Sequence, residues 1–142
     1  MTHKVGHASL IAAVMSQRDF ASLGPAGSCP DYLRNSGIPE MQAQAHFTIP
    51  VLKFGGGLSY KILTPRLSSE MANGTYKVDE TTASLSAMGF MKITLKPIII
   101  KFQGRYGENN TDVLGIGGYA VKEVVNNETG QRSYTPFYNT AF

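Results

Sequence analysis

The residues of this chain that could do chemistry are few, and their spacing does not suit catalysis. The three histidines are His3, His7 and His46. In an extended strand, His3 and His7 would lie on one side about 13 Å apart, which disfavours shared metal ligation. No serine, histidine and aspartate occur in an order that supports a nucleophilic triad. We therefore expect no catalytic residue, no metal site and no cofactor, in a protein that is not an enzyme.

Two loop-like motifs match known ligand-binding loops only in part. Residues 108–112, with the sequence ENNTD, offer several oxygen ligands for Ca²⁺ but lack the glycine and the distal glutamate of an EF-hand. Residues 104–107 and 115–118 are rich in glycine, yet no helical pattern follows either of them to build a phosphate-binding loop. We interpret these glycines as strand ends and loops, and whether the acidic loop binds Ca²⁺ stays open.

Charged and amide side chains recur at every second position of several segments. Ile98, Ile100 and Phe102, for example, alternate with Lys101 and Gln103. Because side chains on a strand point to opposite faces with a period of two, each segment has one apolar and one polar face. The predicted polar face collects Gln42, Gln44, His46, Lys53, Lys61, Lys92, Lys101, Gln103 and Arg105. The predicted apolar face includes Leu85, Met91, Ile93, Ile98, Ile100 and Phe102.

The elements that must position these side chains are predicted strands. The strands cover about 4–17, 41–49, 52–62, 81–95, 98–106 and 133–142, and long loops cover 18–39, 64–79 and 107–132. A tight turn at Lys96-Pro97 predicts antiparallel pairing of 81–95 with 98–106. No helical periodicity competes. The pattern predicts one all-β domain, an antiparallel up-and-down meander of about six strands.

The lengths of the connections alternate between long and short, and this favours a membrane barrel. Outer-membrane barrels have short turns on one side and long loops on the other. The predicted strands also exceed the usual five or six residues and match the 9–11 of a tilted membrane crossing. Ionisable groups at mid-strand are costly in a packed core and natural in a water-filled lumen. We therefore expect part of a transmembrane β-barrel, with the apolar face toward lipid and the polar face toward the lumen.

Composition agrees with this class and excludes others. Charged residues make up 16% of the 142 residues, below the quarter usual in soluble domains. The net charge of +3 comes without a Lys/Arg cluster, so no nucleic-acid partner is expected. The single cysteine, Cys29, excludes an internal disulfide. Residues 10–15 imitate a signal peptide only weakly. Since six strands are too few for a closed barrel of at least eight, we expect an incomplete barrel segment from a longer parent chain.

Several stretches resemble a known family. They are FGGGLSYKILTPRLSSEM from Phe54, YKVDETTASLSAMGFMKITLKPIIIKFQGRYGENNTDVLGIGGYAV from Tyr76, YTPF from Tyr134, and the loop RDFASLGP…YLRNSGIPEM from Arg18. Together they resemble the porin-like outer-membrane β-barrel proteins of Bacteroides-type bacteria. The resemblance implies a place in the bacterial outer membrane, contact with membrane lipid, and passive passage or capture of small polar solutes. Further strands of a longer parent chain, or a second copy, would be its partners.

The polar face suggests a preference among solutes. Lysines 53, 61, 92 and 101 with Arg105 would make a lumen electropositive and favour anions, while loop 107–132 would fold over the mouth or inward. Two alternatives stay open. A soluble β-barrel or sandwich could bind a small apolar ligand with its apolar faces turned inward. A surface adhesion or structural module could instead act through its loops.

Overall fold

A computed structural model describes residues 1–16, 22–24, 27–114 and 117–142, without the side chains of residues 112 and 113. The prediction of an antiparallel all-β protein is confirmed. The strands of the described residues are β1 Thr2–Val5, β2 Ala8–Met15, β3 Leu23–Gly24, β4 Gly27–Ser28, β5 Glu40–Thr48, β6 Leu52–Leu63, β7 Ser68–Met71, β8 Gly74–Lys77, β9 Thr82–Leu95, β10 Ile98–Glu108, β11 Tyr119–Asn126, β12 Gln131–Pro136 and β13 Tyr138–Ala141; the helices are α1 Asp31–Ser36 and α2 Thr111–Leu114.

Seven of these strands form one antiparallel sheet in the order β1-β2-β5-β6-β9-β10-β13. Successive strands of this sheet are neighbours, which is the predicted meander. The pairing of β9 with β10 runs from Ile98 opposite Leu95 to Gly107 opposite Ser86, so this prediction is confirmed. Within the described residues β1 and β13 remain the two edges of the sheet, and no closed barrel forms. The membrane-spanning part of the fold prediction therefore stays a proposal.

The connections of the sheet sort to its two ends. Short turns at 6–7, 49–51 and 96–97 join the strands at one end, which we call the short-turn end. The long connections join them at the other end, and we call their described residues the cap. The cap contains the hairpins β3–β4, β7–β8 and β11–β12, each a separate sheet of two strands. All three predicted loops thus contain regular structure, although residues 18–21, 25–26 and 115–116 lie outside the described part.

Two of the expected strands differ from the structure. The strand expected over 4–17 is a hairpin of β1 and β2, because Gly6 turns the chain with a φ of +57°; Gln17 lies outside the described residues. The strand expected over 133–142 is divided at Phe137, whose N–H donates to the carbonyl of Gly118. Before this point β12 pairs with β11, and after it β13 pairs with β10. Alternation alone could not separate them because both pieces are extended.

The buried apolar cluster lies where the cap packs on the end of β6, and not against the sheet's apolar face. Tyr32 and Leu33 of helix α1 pack with Leu63 and Tyr119, and all four side chains are buried. Helix α1 ends where Gly37 takes a left-handed φ of +67° and donates its N–H to the carbonyl of Arg34. The N–H of Thr64 donates to the Tyr32 carbonyl at 2.8 Å and joins the helix to the end of β6. This cluster fixes the cap on the sheet.

Candidate functional site on the polar face of the sheet

The register of the sheet divides its side chains into two faces. Residues directly opposite each other on neighbouring strands share a face. Lys92 lies opposite both Lys53 and Lys101, and Met91 lies opposite both Phe54 and Phe102. One face holds all nine residues expected on the polar face, namely Gln42, Gln44, His46, Lys53, Lys61, Lys92, Lys101, Gln103 and Arg105. The other holds all six residues expected on the apolar face, namely Leu85, Met91, Ile93, Ile98, Ile100 and Phe102.

Burial of the two faces is the reverse of that in a soluble sandwich. In β9 the polar side chains of Thr82, Ser84 and Ser86 are only 6%, 2% and 6% exposed. Leu85, between them on the opposite face, is 53% exposed. The apolar face stays open farther along the sheet as well, and Phe102 in β10 is 58% exposed. The cap therefore covers the polar face of β9 from Thr82 to Ser86, and the apolar face stays uncovered among the described residues.

Aromatic rings lie toward both ends of the apolar face. Phe47 and Phe54 stack near the short-turn end, with ring centres 5.2 Å apart and an angle of 14°. Tyr106 and Tyr138 stack near the cap, with centres 6.1 Å apart and an angle of 25°. Tyrosine has a polar tip on an apolar ring, so it suits a boundary between an apolar and an aqueous phase.

The segment after β10 folds onto the polar face. The Asn110 side chain accepts a hydrogen bond from Arg105 Nε at 3.1 Å and contacts Ser86 Oγ. Its Nδ2 donates to Asn139 Oδ1 of β13 at 2.5 Å. Arg105 also donates to Ser59 Oγ of β6 at 3.3 Å. Asn110 thereby connects β9, β10 and β13 across the polar face. Its side chain narrows the open part of the polar face at the cap end of the sheet.

The neighbouring residues of the ENNTD motif take part in the same packing. Asn109 is fully buried and donates from Nδ2 to Ser22 Oγ at 2.9 Å, and its own Oδ1 accepts from the Thr111 hydroxyl at 3.2 Å. The side chain of Asp112 lies outside the described residues. In the part of the chain that the structure describes, no group of three or more His, Cys, Asp or Glu residues could hold a metal ion.

The middle of the polar face has an aromatic contact over a glycine. His46, Gly55 and Phe90 lie opposite one another on β5, β6 and β9. The rings of His46 and Phe90 meet edge to face over Gly55, with centres 5.1 Å apart and an angle of 86°. A Cβ on Gly55 would be 2.5 Å from the Ala45 carbonyl oxygen and 2.9 Å from both rings. Only glycine fits here, because the rings occupy the space above the strand.

Three lysines form a line across the polar face near the short-turn end. Lys53, Lys92 and Lys101 lie on β6, β9 and β10, and we call them the lysine row. Thr48 of β5 lies opposite Lys53 and extends the line. Lys92 is half-buried and the other two are exposed. Lys53 Nζ lies 6.0 Å from the centre of the Phe90 ring, within the range of a cation–π contact.

A buried ion pair joins two hairpins of the cap. The Glu80 side chain is inaccessible, and its carboxylate accepts from Arg66 Nε at 2.8 Å and from Arg66 NH2 at 2.7 Å. It also accepts from the Tyr134 hydroxyl and the Arg132 N–H, each at 2.7 Å. Burial alone would raise the pKa of Glu80, but the hydrogen bonds from Arg66, Tyr134 and Arg132 lower it below the ordinary value. Burial and the contact with Glu80 raise the pKa of Tyr134 to about 12.

Sequence analysis missed this pair and the contacts of Asn110. Arg66 and Glu80 are 14 positions apart and enclose the β7–β8 hairpin, so no local periodicity relates them. No feature of the sequence singled out the two residues, since Glu70, Lys77 and Asp79 also lie in this segment. For Asn110, the motif suggested a metal ligand, whereas the structure gives it a role in joining strands.

Comparisons with known proteins add no family assignment. No family model, curated protein or solved structure matches the chain. Among the described residues, no helix is long and apolar enough to cross a membrane.

Proposed function

We propose that this chain forms part of the wall of a porin-like β-barrel in a bacterial outer membrane, which passes or captures small polar or anionic solutes. The observation that carries the proposal is the inverted burial of the sheet. Covered polar side chains beside exposed apolar ones are costly in water, and they are the arrangement expected of a sheet between lipid and an aqueous lumen.

The size of the apolar face supports a lipid contact. Strands lie about 4.8 Å apart and rise about 3.4 Å per residue, so five strands over eight residues cover on the order of 600 Å². The largest apolar patch on a typical soluble monomer is about 300–600 Å² of accessible area. A flat projection understates accessible area, so this face exceeds the usual range. The rings of Phe47 and Phe54 at one end, and of Tyr106 and Tyr138 at the other, match the aromatic girdles of such barrels.

The polar face supports solute contact. Arg105 and the lysine row point away from lipid in this arrangement, and the cap narrows one end of the face through Asn110. The soluble alternative needs a second layer that covers the apolar face, and the described residues supply none. In this proposal the passage of solutes through the lumen is passive.

The test compares neighbouring positions on the two faces of β10. In a Cys29→Ser background, Ile100→Cys and Lys101→Cys are each labelled with a fluorophore after reconstitution of the full chain into phosphatidylcholine vesicles. We expect a lipid-attached nitroxide to quench the label at position 100, and a water-soluble quencher to act mainly at position 101. Equal access of the water-soluble quencher to both labels would contradict the proposal, and a label at position 100 that neither quencher reaches would favour the soluble alternative.

A further inference from the structure

Charges of opposite sign are separated along the seven-stranded sheet. Its strands contain two carboxylates, Glu40 at the start of β5 and Glu108 at the end of β10, and both lie at the cap end. The lysine row lies near the opposite end. Along β10, Lys101 is seven residues from Glu108, which corresponds to about 23 Å at roughly 3.3 Å per residue. This is more than twice the Debye length of about 8 Å at physiological ionic strength, so the sheet's own carboxylates do not neutralise the row.

The spacing within the lysine row allows its members to act together. Directly opposite residues of an antiparallel pair have Cβ atoms about 4.5–5.5 Å apart, so the outer lysines are about 10 Å apart. A lysine stem of four carbons can reach across half that distance, and the three ammonium groups can meet above Lys92. Among the described residues, no carboxylate forms an ion pair with Lys92 or Lys101.

Like charges directly opposite each other destabilise a sheet. The repulsion between the lysines is reduced when an anion lies between their ammonium groups. A monovalent anion balances only a third of the positive charge of the three lysines. Each ammonium group offers three donors, which suits a ligand with several acceptor oxygens. Thr48 and Gln103 add neutral donors at the margins, Thr48 in the row itself and Gln103 one position farther along the polar face.

From this geometry we propose that Lys53, Lys92 and Lys101 form a binding site for phosphoryl dianions, in which Lys92 is the central contact. Lysine binds phosphate as a compact point charge, and three lysines supply more positive charge than the ligand carries. Binding itself does not need a membrane. A role in selecting phosphorylated solutes within a lumen rests on the proposed function.

The binding test uses the full chain in an uncharged detergent without phosphate groups. Lysine is incorporated with ¹³C at Cε, and its side-chain NMR signals are followed during titration with inorganic phosphate, against sodium chloride of equal ionic strength. We expect saturable shifts of the three row lysines with phosphate and none with chloride. Lys92→Gln should weaken the affinity at least tenfold, whereas Lys122→Gln, an exposed position of the cap, should leave it unchanged. Equal affinity of Lys92→Gln and the parent chain, or the same shifts with chloride, would overturn the proposal.

A stability measurement keeps the test decisive if a variant folds poorly. Without phosphate and at low salt, Lys92→Gln should unfold at the same or a higher urea concentration than the parent, because the repulsion is relieved. Phosphate should raise the midpoint of the parent and not that of the variant. Lys101→Gln provides the same comparison with one outer lysine. A phosphate shift that persists in both variants would contradict the site.

The source of the phosphoryl group is distinguished in the same medium. Monomeric dihexanoyl-phosphatidic acid, whose phosphomonoester can carry two negative charges as inorganic phosphate does, is titrated beside inorganic phosphate. Stronger shifts of the row with inorganic phosphate support a free solute, and stronger shifts with the lipid support a headgroup. Absence of binding together with lipid quenching at position 100 would refute this site alone and leave the proposed function standing.

Discussion

Replacing Phe102 with lysine should destabilise the chain strongly in a bilayer and hardly at all in water. The side chain is 58% exposed, lies opposite Met91 and belongs to the apolar face. On that face of β9, every second residue from Leu85 to Leu95 is apolar. The centre of this stretch is residue 90, so Phe102 lies one residue away from the level of the centre.

The size of the destabilisation expected in a bilayer follows from the depth of Phe102 in the apolar band. Ten steps of about 3.4 Å give a stretch of about 34 Å, and at the tilt of about 35–45° usual for membrane barrels its height is about 24–28 Å. The apolar band of such barrels is about 25 Å tall, so Phe102 would lie within about 3 Å of the bilayer midplane. A lysine there costs about 2–4 kcal/mol, or roughly 30- to 900-fold in the folding equilibrium. In water, an exposed position of this kind changes stability by about 0.5 kcal/mol or less.

The assay is urea unfolding of the full chain from phosphatidylcholine vesicles and, separately, from detergent-free buffer wherever the chain stays soluble. The matched control is Gln103→Lys, which adds the same charge one residue away on the polar face, opposite Phe90. We expect its effect to stay within about 0.5 kcal/mol in vesicles. If both lysine variants lose the same stability in vesicles, the assignment of the two faces to lipid and water is refuted.

Four further outcomes are expected. Ile100→Lys should lower stability in vesicles, whereas Lys101→Glu should change ion selectivity in planar bilayers and hardly change stability; equal damage to folding would contradict the face assignment. Glu80→Gln should cost about 1.5–3 kcal/mol in urea unfolding at pH 7, because charge-assisted hydrogen bonds are lost. The pKa of Glu80 is lowered in the folded state, so the ionised carboxylate stabilises the fold fully at pH values above its ordinary pKa of 4.5. This stabilisation is lost as the pH falls through the lowered pKa of the folded state. Below about pH 4.5 the variant should therefore lose less stability than the parent. An unchanged acid dependence would contradict this role. Gly55→Ala should lower the urea midpoint because its Cβ meets the Ala45 carbonyl, while Gly6→Ala, whose Cβ meets no atom within 4 Å, tests turn strain alone. The purified chain should require detergent or aggregate, and a monodisperse monomer in plain buffer would favour the soluble alternative.

The sheet was predictable because a single period determines much of it. The expected bounds 41–49, 52–62, 81–95 and 98–106 lie within two residues of β5, β6, β9 and β10. The assignment of each side chain to a face followed from the same alternation, since a shift of one residue would exchange the faces of a whole strand. Lys96-Pro97 then determined the register of β9 on β10, which places Lys101 opposite Lys92.

The cap was not predictable by the same means. Its contacts join residues far apart in the chain, such as Asn109 with Ser22 and Arg66 with the carbonyl of Gly130. No period relates such residues, and short hairpins of polar sequence resemble irregular loops. The division between β12 and β13 depends on Phe137 bonding to Gly118, which is also a contact between distant parts of the chain. Local patterns therefore determined the sheet, whereas the covering of its polar face depends on long-range polar contacts.

The described residues bury little apolar surface when the apolar face of the sheet is in water. The buried apolar cluster of Tyr32, Leu33, Leu63 and Tyr119 is small and lies where the cap meets the end of β6. Complete burial of one large apolar side chain contributes about 1.5–3 kcal/mol, and the exposed face of the sheet leaves much of this contribution unused. Backbone hydrogen bonds yield a small net gain each, since water satisfies the same groups in the unfolded chain. Lipid against the apolar face would supply the missing burial, while the cap and the lysine row would remain in water. Under the proposal, the two-residue alternation of apolar and polar side chains therefore has two effects. It stabilises the sheet through the lipid on one face, and it places the solute on the other face.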